Sequence, residues 1–367
     1  MYDLIRSALF RLDAERAHRL TAAAARAAHI TRADSLLESR FHFEDERLRQ
    51  TLWGLTFSNP VGLAAGFDKN AALVGFWPAL GFGFVEVGSV SARPSRGNPR
   101  PRAFRLPDDL ALVNRMGLNN IGAKRISRRL KNAGGRMPIP IGVNLAKTHD
   151  PKIMGDAAID DFRESFRRLA PLADYIALNV SCPNTTEGKT FEEPAAFERL
   201  LEAIDEERAS LASGVPILVK LSPPISDRVV FDSAVDEIVS VSRRFGVSGF
   251  IAANTASDRE GLLSTEEEIR QAGAGGLSGK PIERRATSLV RYLYRLTGGA
   301  LPIIGVGGVF SAEGAYEKIR AGASLIQIYT GLIYNGPGVV RRIKEGLVDL
   351  LVRDGHSSIA DAVGANA

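Results

Sequence analysis

The segment NVSCPN at 179–184 carries the sharpest chemical signal in the chain. It closes an apolar run with Cys182, set between Ser181 and Pro183 and flanked by Asn179 and Asn184. A free thiol has a pKa near ~8.5, so modest help from its surroundings makes it a base or nucleophile at working pH. The proline removes a backbone donor and stiffens the turn that would present the thiol. The plainer alternative is a cysteine packed as a small apolar residue. Lys69 in AAGFDKN and Lys220 in LVKL also close apolar runs. Lys220 either snorkels to a rim or faces a negative charge inside, and Lys69 has Asp68 beside it as a simple partner. Asn144, Asn179 and Asn254 stand at corresponding ends of other runs. An unpaired buried amide costs about 1–3 kcal/mol, so the three suggest a planar ligand with donors and acceptors on its rim. Glycines at 305, 307 and 308, and at 275, 276 and 279, are either turn glycines or points where backbone N–H groups approach a phosphate.

These residues need a scaffold that gathers strand ends. From residue 51 onward, eight short apolar runs recur, at 60–66, 83–90, 139–146, 175–182, 216–222, 249–255, 302–308 and 325–330. Nearly continuous apolar runs of this kind fit strands buried on both faces of a parallel sheet. Helical patterns lie between most of them, at 157–170, 194–212, 228–244, 282–297 and 311–321. The alternation predicts an α/β fold, a (β/α)8 TIM barrel with its active site at the C-terminal strand ends. The alternative is an open doubly wound sheet. No G-x-G-x-x-G follows a strand, and Gly81-Phe82-Gly83 precedes one.

The front of the chain reads differently. Residues 3–12 form one amphipathic helical pattern, with Leu4, Ile5, Ala8, Leu9 and Leu12 in register. Asp13 is placed to cap a second helix over 14–29, with Ala17, Leu20, Ala24 and Ala27 as a small-residue face. Residues 1–32 hold six arginines against Asp3, Asp13 and Glu15. The polar stretch at 31–50 reads as a linker, so the division expected is an extension over 1–40 and a barrel domain over 41–367. Pattern alone leaves two uses open for the front helices: a cap packed on the barrel, or a pair lying in a membrane surface.

Composition narrows the classes. The chain is 45% hydrophobic and 24% charged, ordinary for a folded domain, with a formal net charge of +5. No Lys/Arg block with interleaved aromatics is present, which argues against nucleic acid as a partner. The single cysteine excludes an intramolecular disulfide, and the five histidines show no metal-ligand spacing, so no metal is expected. No apolar run reaches the ~18–20 residues of a membrane span.

The segments GLAAGFDKN, VEVGSVSARPSRGNPRPRAFRL, VNRMGLNNIG, IGVNLAK, LNVSCPNT, LVKLSP, ANT, GGLSGKP, LPIIGVGGV and IQIYTG together resemble those of the dihydroorotate dehydrogenases. They follow the family's order over nearly all of 50–335. ALFRLDAERAH at 8–18 resembles the start of the N-terminal extension of that family's second, quinone-dependent class. The resemblance implies FMN as the only tightly bound cofactor. It implies oxidation of dihydroorotate to orotate in pyrimidine biosynthesis, with electrons passed to a membrane quinone. It places the protein peripherally at an anionic membrane surface, on the cytoplasmic side of the inner membrane, with the front helices as the quinone tunnel. The oligomeric state stays open, with a monomer favoured.

Carried over by position, the resemblance puts Cys182 in the role of catalytic base. Flavin contacts would come from Ala65, Gly66, Ser89, Asn144, Asn179, Lys220, Ala253, Gly279, Gly308, Tyr329 and Thr330. Orotate contacts would come from Lys69, Asn114, Arg115, Met116, Gly117, Leu118, Asn179, Asn184, Asn254 and Thr255. Ser89 stands where threonine is common. Ala253 stands where threonine precedes the ANT-type asparagine, which limits it to a backbone contact. The larger departure is Cys182 itself, because the quinone-dependent class typically has serine there and the soluble class cysteine. That keeps fumarate or a protein partner in view as the electron acceptor. A different class of function is a non-redox TIM-barrel lyase or synthase holding a phosphorylated substrate through the glycine loops; a last alternative, a non-catalytic membrane-surface scaffold, is disfavoured by the cluster of strand-end polar residues.

Overall fold

A computed structural model describes residues 2–133, 137–181, 190–224 and 233–367. Three helices lead: α1 (Tyr2–Phe10), α2 (Ala14–Ile30) and α3 (Asp34–Phe41). An antiparallel hairpin follows, β1 (Gln50–Leu52) and β2 (Leu55–Phe57). The main sheet begins with β3 (Val61–Leu63) and β4 (Phe84–Val90). β5 (Ala103–Leu106) and β6 (Ala111–Asn114) leave it as a hairpin, and α4 (Ala123–Asn132) leads back. Strands and helices then alternate: β7 (Ile141–Leu145), α5 (Asp156–Leu169), β8 (Tyr175–Asn179), α6 (Pro194–Ser210), β9 (Ile217–Leu221), α7 (Ser233–Arg244) and β10 (Gly249–Ala252). A second excursion, α8 (Glu266–Ala272) and β11 (Gly276–Gly279), precedes α9 (Glu283–Thr297). The chain closes with β12 (Ile303–Val306), α10 (Ala312–Arg320), β13 (Leu325–Ile328), α11 (Thr330–Asn335) and α12 (Val339–Asp354).

All eight apolar runs become strands of one closed parallel barrel, in the order β3-β4-β7-β8-β9-β10-β12-β13 and back to β3. The doubly wound alternative is thereby excluded. Strands such as β7 and β9 are buried at every position, which is why their sequences do not alternate. The lower barrel is filled by large rings made possible by missing side chains. A Cβ on Gly62 would lie 2.3 Å from the Phe84 ring, and one on Gly142 would lie 2.0 Å from the Tyr175 ring. The β1–β2 hairpin plugs that end: Phe57 meets Phe84 edge to face at 5.5 Å, and Trp53 lies 6.1 Å from Tyr175.

Three readings of the front change. The stretch 31–50 is not simply a linker, because α3 forms within it and packs on the short 3-10 turn Trp77–Leu80. The face of α2 is rotated from the one expected: Ala17 is buried, but Ala22, Ala25 and Ala28 make the partial packing, and Leu20 is 57% exposed. Small side chains on both sides of α2 made the two faces equivalent by pattern, and contact with the barrel selects one. In α1, Leu4 and Ile5 point outward at 79% and 51% exposure, while the Phe10 ring packs on Tyr334. Asp13 caps α2 as expected, accepting from the Arg16 N–H at 2.9 Å.

Glu15 anchors α2. Its carboxylate accepts from Nε and Nη2 of both Arg100 and Arg102 at 2.9–3.1 Å. Burial pushes the Glu15 carboxyl up, but the hydrogen bonds and charges of Arg102 and Arg100 outweigh it and hold the group at about 2. Because that folded value lies below the unfolded one of ~4.3, the stabilisation is complete above the ordinary carboxyl range and is lost as pH falls through about 2. Glu15→Gln is expected to loosen α2 at neutral pH by roughly 3 kcal/mol, since it strands a buried guanidinium. Amide hydrogen exchange over 14–30 checks this, and equal protection in wild type and variant at pH 7 would refute it.

Candidate functional site

The C-terminal ends of the barrel strands open into a cavity of about 1050 Å3 including its mouth. Of the residues singled out from sequence, it is lined by Ala65, Gly66, Lys69, Ser89, Asn114, Met116, Gly117, Leu118, Asn179, Lys220, Ala253, Asn254, Thr255, Gly279, Gly308, Tyr329 and Thr330. Cys182 and Asn184 lie outside the described residues. The three-stranded antiparallel sheet β11-β6-β5, which no local pattern announced, supplies one wall. Its Ser278 hydroxyl meets that of Thr330 at 3.0 Å.

The floor is a buried charge cluster. Glu86 on β4 is fully buried, and its carboxylate accepts from the Asn144 amide at 2.9 Å, the Gln327 amide at 2.8 Å and the Tyr175 hydroxyl at 3.3 Å. Lys220 Nζ lies 3.6 Å from Glu86 Oε1, so of its two readings the inward-facing one holds. Burial first, then the charge of Glu86, pushes the Tyr175 hydroxyl far up, so it stays a donor.

From this floor a hydrogen-bond relay climbs the wall. Ser89 donates to Asn144 Oδ1 at 2.5 Å, and the Asn179 amide donates to Ser89 Oγ at 3.0 Å. The Asn254 amide donates to Asn179 Oδ1 at 3.2 Å and to the Ser181 hydroxyl at 3.0 Å. The three asparagines therefore satisfy one another in part, rather than each awaiting a ligand. Asn144 lies beneath the cavity wall, behind Ser89.

Two further expectations change. Asp68 is not the partner of Lys69; its buried carboxylate accepts from the N–H groups of Ala72 and Leu73. Lys69 Nζ instead donates to Asn119 at 3.0 Å. Arg115 turns its guanidinium away from the cavity, over the Phe104 ring and onto the carbonyls of Ala272 and Ala274. Only its backbone remains beside the cavity wall. Asn119, Ser278, Gln327 and Gly331 also line the cavity and were passed over. Gln327 was legible as the one polar residue in LIQI, and Asn119 as the second-last residue of the GLNN segment.

Gln327 also tests what the cavity can hold. A carboxylate only accepts, so the Gln327 nitrogen must face Glu86, which leaves its buried Oε1 without a partner among the described residues. An acceptor left open on the floor, amides and hydroxyls on one wall, two lysines, and glycines with Ser278 and Thr330 at the far end suit a flat polar ring carrying a phosphate tail.

α2 reaches this site. The His18 ring stands edge-on to Phe67 at 5.0 Å, and Phe67 to Tyr329 at 5.2 Å. Burial, then the charge of Lys69, lowers His18 to about 4, so it is neutral at pH 7. Burial raises the Tyr329 hydroxyl to about 12.

The sequence model of the family Dihydroorotate dehydrogenase matches residues 47–351. Relatives named dihydroorotate dehydrogenase (quinone) include one from Roseiflexus sp. (strain RS-1), 46% identical over 99% of this chain and 98% of its own. Another, from Haloarcula marismortui, is 44% identical over 100% of this chain and 99% of its own. Among solved structures, the DHODH of Eimeria tenella in complex with ferulenol superposes with a TM-score of 0.85 at 33% identity, covering 96% of each chain.

Proposed function

The chain belongs to the dihydroorotate dehydrogenase family, and on that premise we propose that it oxidises dihydroorotate to orotate with FMN bound in the barrel-mouth cavity and a membrane quinone as electron acceptor. The observation that carries this reading is the pairing, in one cavity, of a polar amide-and-lysine wall with a glycine-and-hydroxyl end. FMN held there would supply the hydride acceptor for C6 of dihydroorotate and the carrier for the electrons.

The chain's own residues do the rest. Cys182 removes the C5 proton, a task for which a thiol is far better poised than an alcohol. Lys69 holds the substrate carboxylate, and Asn114, Asn184, Asn254 and Thr255 hydrogen-bond its ring. Met116, Gly117 and Leu118 close over it, and Arg115 takes part through its backbone. Ala65, Gly66, Ser89, Asn179, Lys220 and the backbone of Ala253 surround the flavin ring, with Asn144 acting through Ser89. Gly279, Gly308, Tyr329 and Thr330 hold the phosphate; the Tyr329 hydroxyl stays protonated there.

The quinone assignment draws on the relatives' names and on α2, whose His18 joins the rings of Phe67 and Tyr329 beside the cavity. A membrane surface suits the outward apolar residues Leu4, Leu20, Ile30 and Leu36, 57–79% exposed, interspersed with exposed Arg11, Arg16, Arg19 and Arg26. Arg6 is drawn out of that set because it donates to the Tyr334 carbonyl. No described helix is long and apolar enough to cross a bilayer. The division proposed is an extension over 1–40, peripheral on the cytoplasmic face of the inner membrane, and a barrel domain over 41–367.

Dihydroorotate should bleach the flavin absorbance anaerobically, and a ubiquinone analogue, not fumarate, should restore it; a colourless protein would overturn the reading. In stopped flow, Cys182→Ala is expected to slow bleaching by about 10²–10⁴-fold, while Cys182→Ser keeps part of the rate with a shifted pH profile. An unchanged alanine variant removes Cys182 from the mechanism. Deleting residues 1–40 should abolish quinone turnover and leave bleaching intact, and surviving quinone turnover would count against the extension's role.

A further inference from the structure

We propose that Glu86 is a positioning residue for Lys220, fixing that lysine's ammonium at the cavity floor and setting the reduction potential of the bound flavin through it. The inference rests on the flavin reading above. Lys220 is the cation of the floor, its side chain only 7% exposed, while Glu86 is wholly buried. A lysine so enclosed favours its neutral form unless an opposite charge stands close. Glu86 is that charge, and at 3.6 Å the contact is an ion pair rather than a hydrogen bond, so it does not use up the ammonium's donors.

The carboxylate itself cannot wander. Asn144 from β7, Tyr175 from β8 and Gln327 from β13 donate to it from three other strands. Among the described residues, the tyrosine hydroxyls near Lys220 stay protonated. Tyr175 is pushed far up, Tyr329 is raised to about 12, and Lys69 stands on the cavity wall as a second cation. The pair is therefore neutral as a unit, and the carboxylate damps the field that Lys220 presents to the ring above it. A reduced flavin carries added negative charge, so damping that field lowers the potential.

Glu86→Gln keeps the shape and removes the charge. The open Oε1 of Gln327 lets that side chain flip and accept from the new amide, which gives that amide a partner. The experiment is a spectroelectrochemical titration of the holoenzyme, reconstituted with excess flavin, from pH 6 to pH 9. The expected result at pH 6 is a rise equivalent to at least tenfold in the oxidised-to-reduced equilibrium, about 30 mV for a two-electron couple. Glu86→Asp, which keeps the charge but draws it back from Nζ, should shift in the same direction by less, and it serves in place of Glu86→Gln should that variant not retain flavin. A potential equal to wild type at every pH overturns the proposal. Wild type that binds no flavin overturns the family reading of the cavity instead.

Discussion

A carboxylate at the centre of a closed barrel has to be surrounded by donors, and most of this structure's order at the cavity follows from that. Breaking a buried ion pair by removing one partner costs about 3–5 kcal/mol, so the residues facing Glu86 are not free to vary. Asn144, Tyr175, Lys220 and Gln327 approach it from β7, β8, β9 and β13. With β4, that engages five of the eight strands in one polar layer. Tyr175 joins this layer to the one beneath: its hydroxyl reaches Glu86 while its ring fills the space that Gly142 leaves open. The aromatic plug below and the reactive cavity above are therefore set by the same strand registers.

The relay rising from the floor has a second consequence. Asn254 bonds both the hydroxyl and the carbonyl of Ser181, and Ser181 in turn donates to the Lys220 carbonyl at 2.8 Å. Ser181 is fully buried and immediately precedes Cys182. The residue before Cys182, the proposed base, is thus tied to β9 and to the end of β10. A base that must meet a particular substrate proton needs that kind of fixed departure, because misplacement by about 1 Å can cost 10²-fold in rate.

The barrel was legible in sequence because two-sided burial writes itself as short apolar runs, and all eight were found. The strand-end residues were legible for the same reason, being polar breaks where apolar runs stop. What escaped depends on pairing between distant segments. β11 joins β6 across about 160 residues, Gly276 opposite Asn114, and GLSG has no alternation to announce a strand. Arg115 was read as a ligand contact from the resemblance of its whole segment, VNRMGLNNIG; the Phe104 ring and the carbonyls at Ala272 and Ala274 pull its guanidinium outward. The amides were read as unpaired because no local pattern shows that Asn179 and Asn254 face each other from β8 and the end of β10.

A cysteine typical of the family's soluble class stands in a chain whose relatives are named for quinone. The extension and the residue before that cysteine have different anchors among the described residues. α2 is anchored through Glu15 to Arg102, and the same guanidinium donates to the carbonyls of Arg96 and Asn98. Those contacts belong to the β4–β5 segment and its neighbours on one side of the cavity mouth. The relay that ends on Ser181, the residue before Cys182, runs from Ser89 of β4 through Asn179 to Asn254, and neither Arg100 nor Arg102 belongs to it. The contact of His18 with Phe67 shares none of that relay. With Cys182 as the proposed base, its residue type bears on dihydroorotate chemistry and leaves the acceptor to other parts of the chain. The proposed acceptor side is what α1 and α2 cover, and in this chain α2 is locked to the barrel by a carboxylate held at about 2.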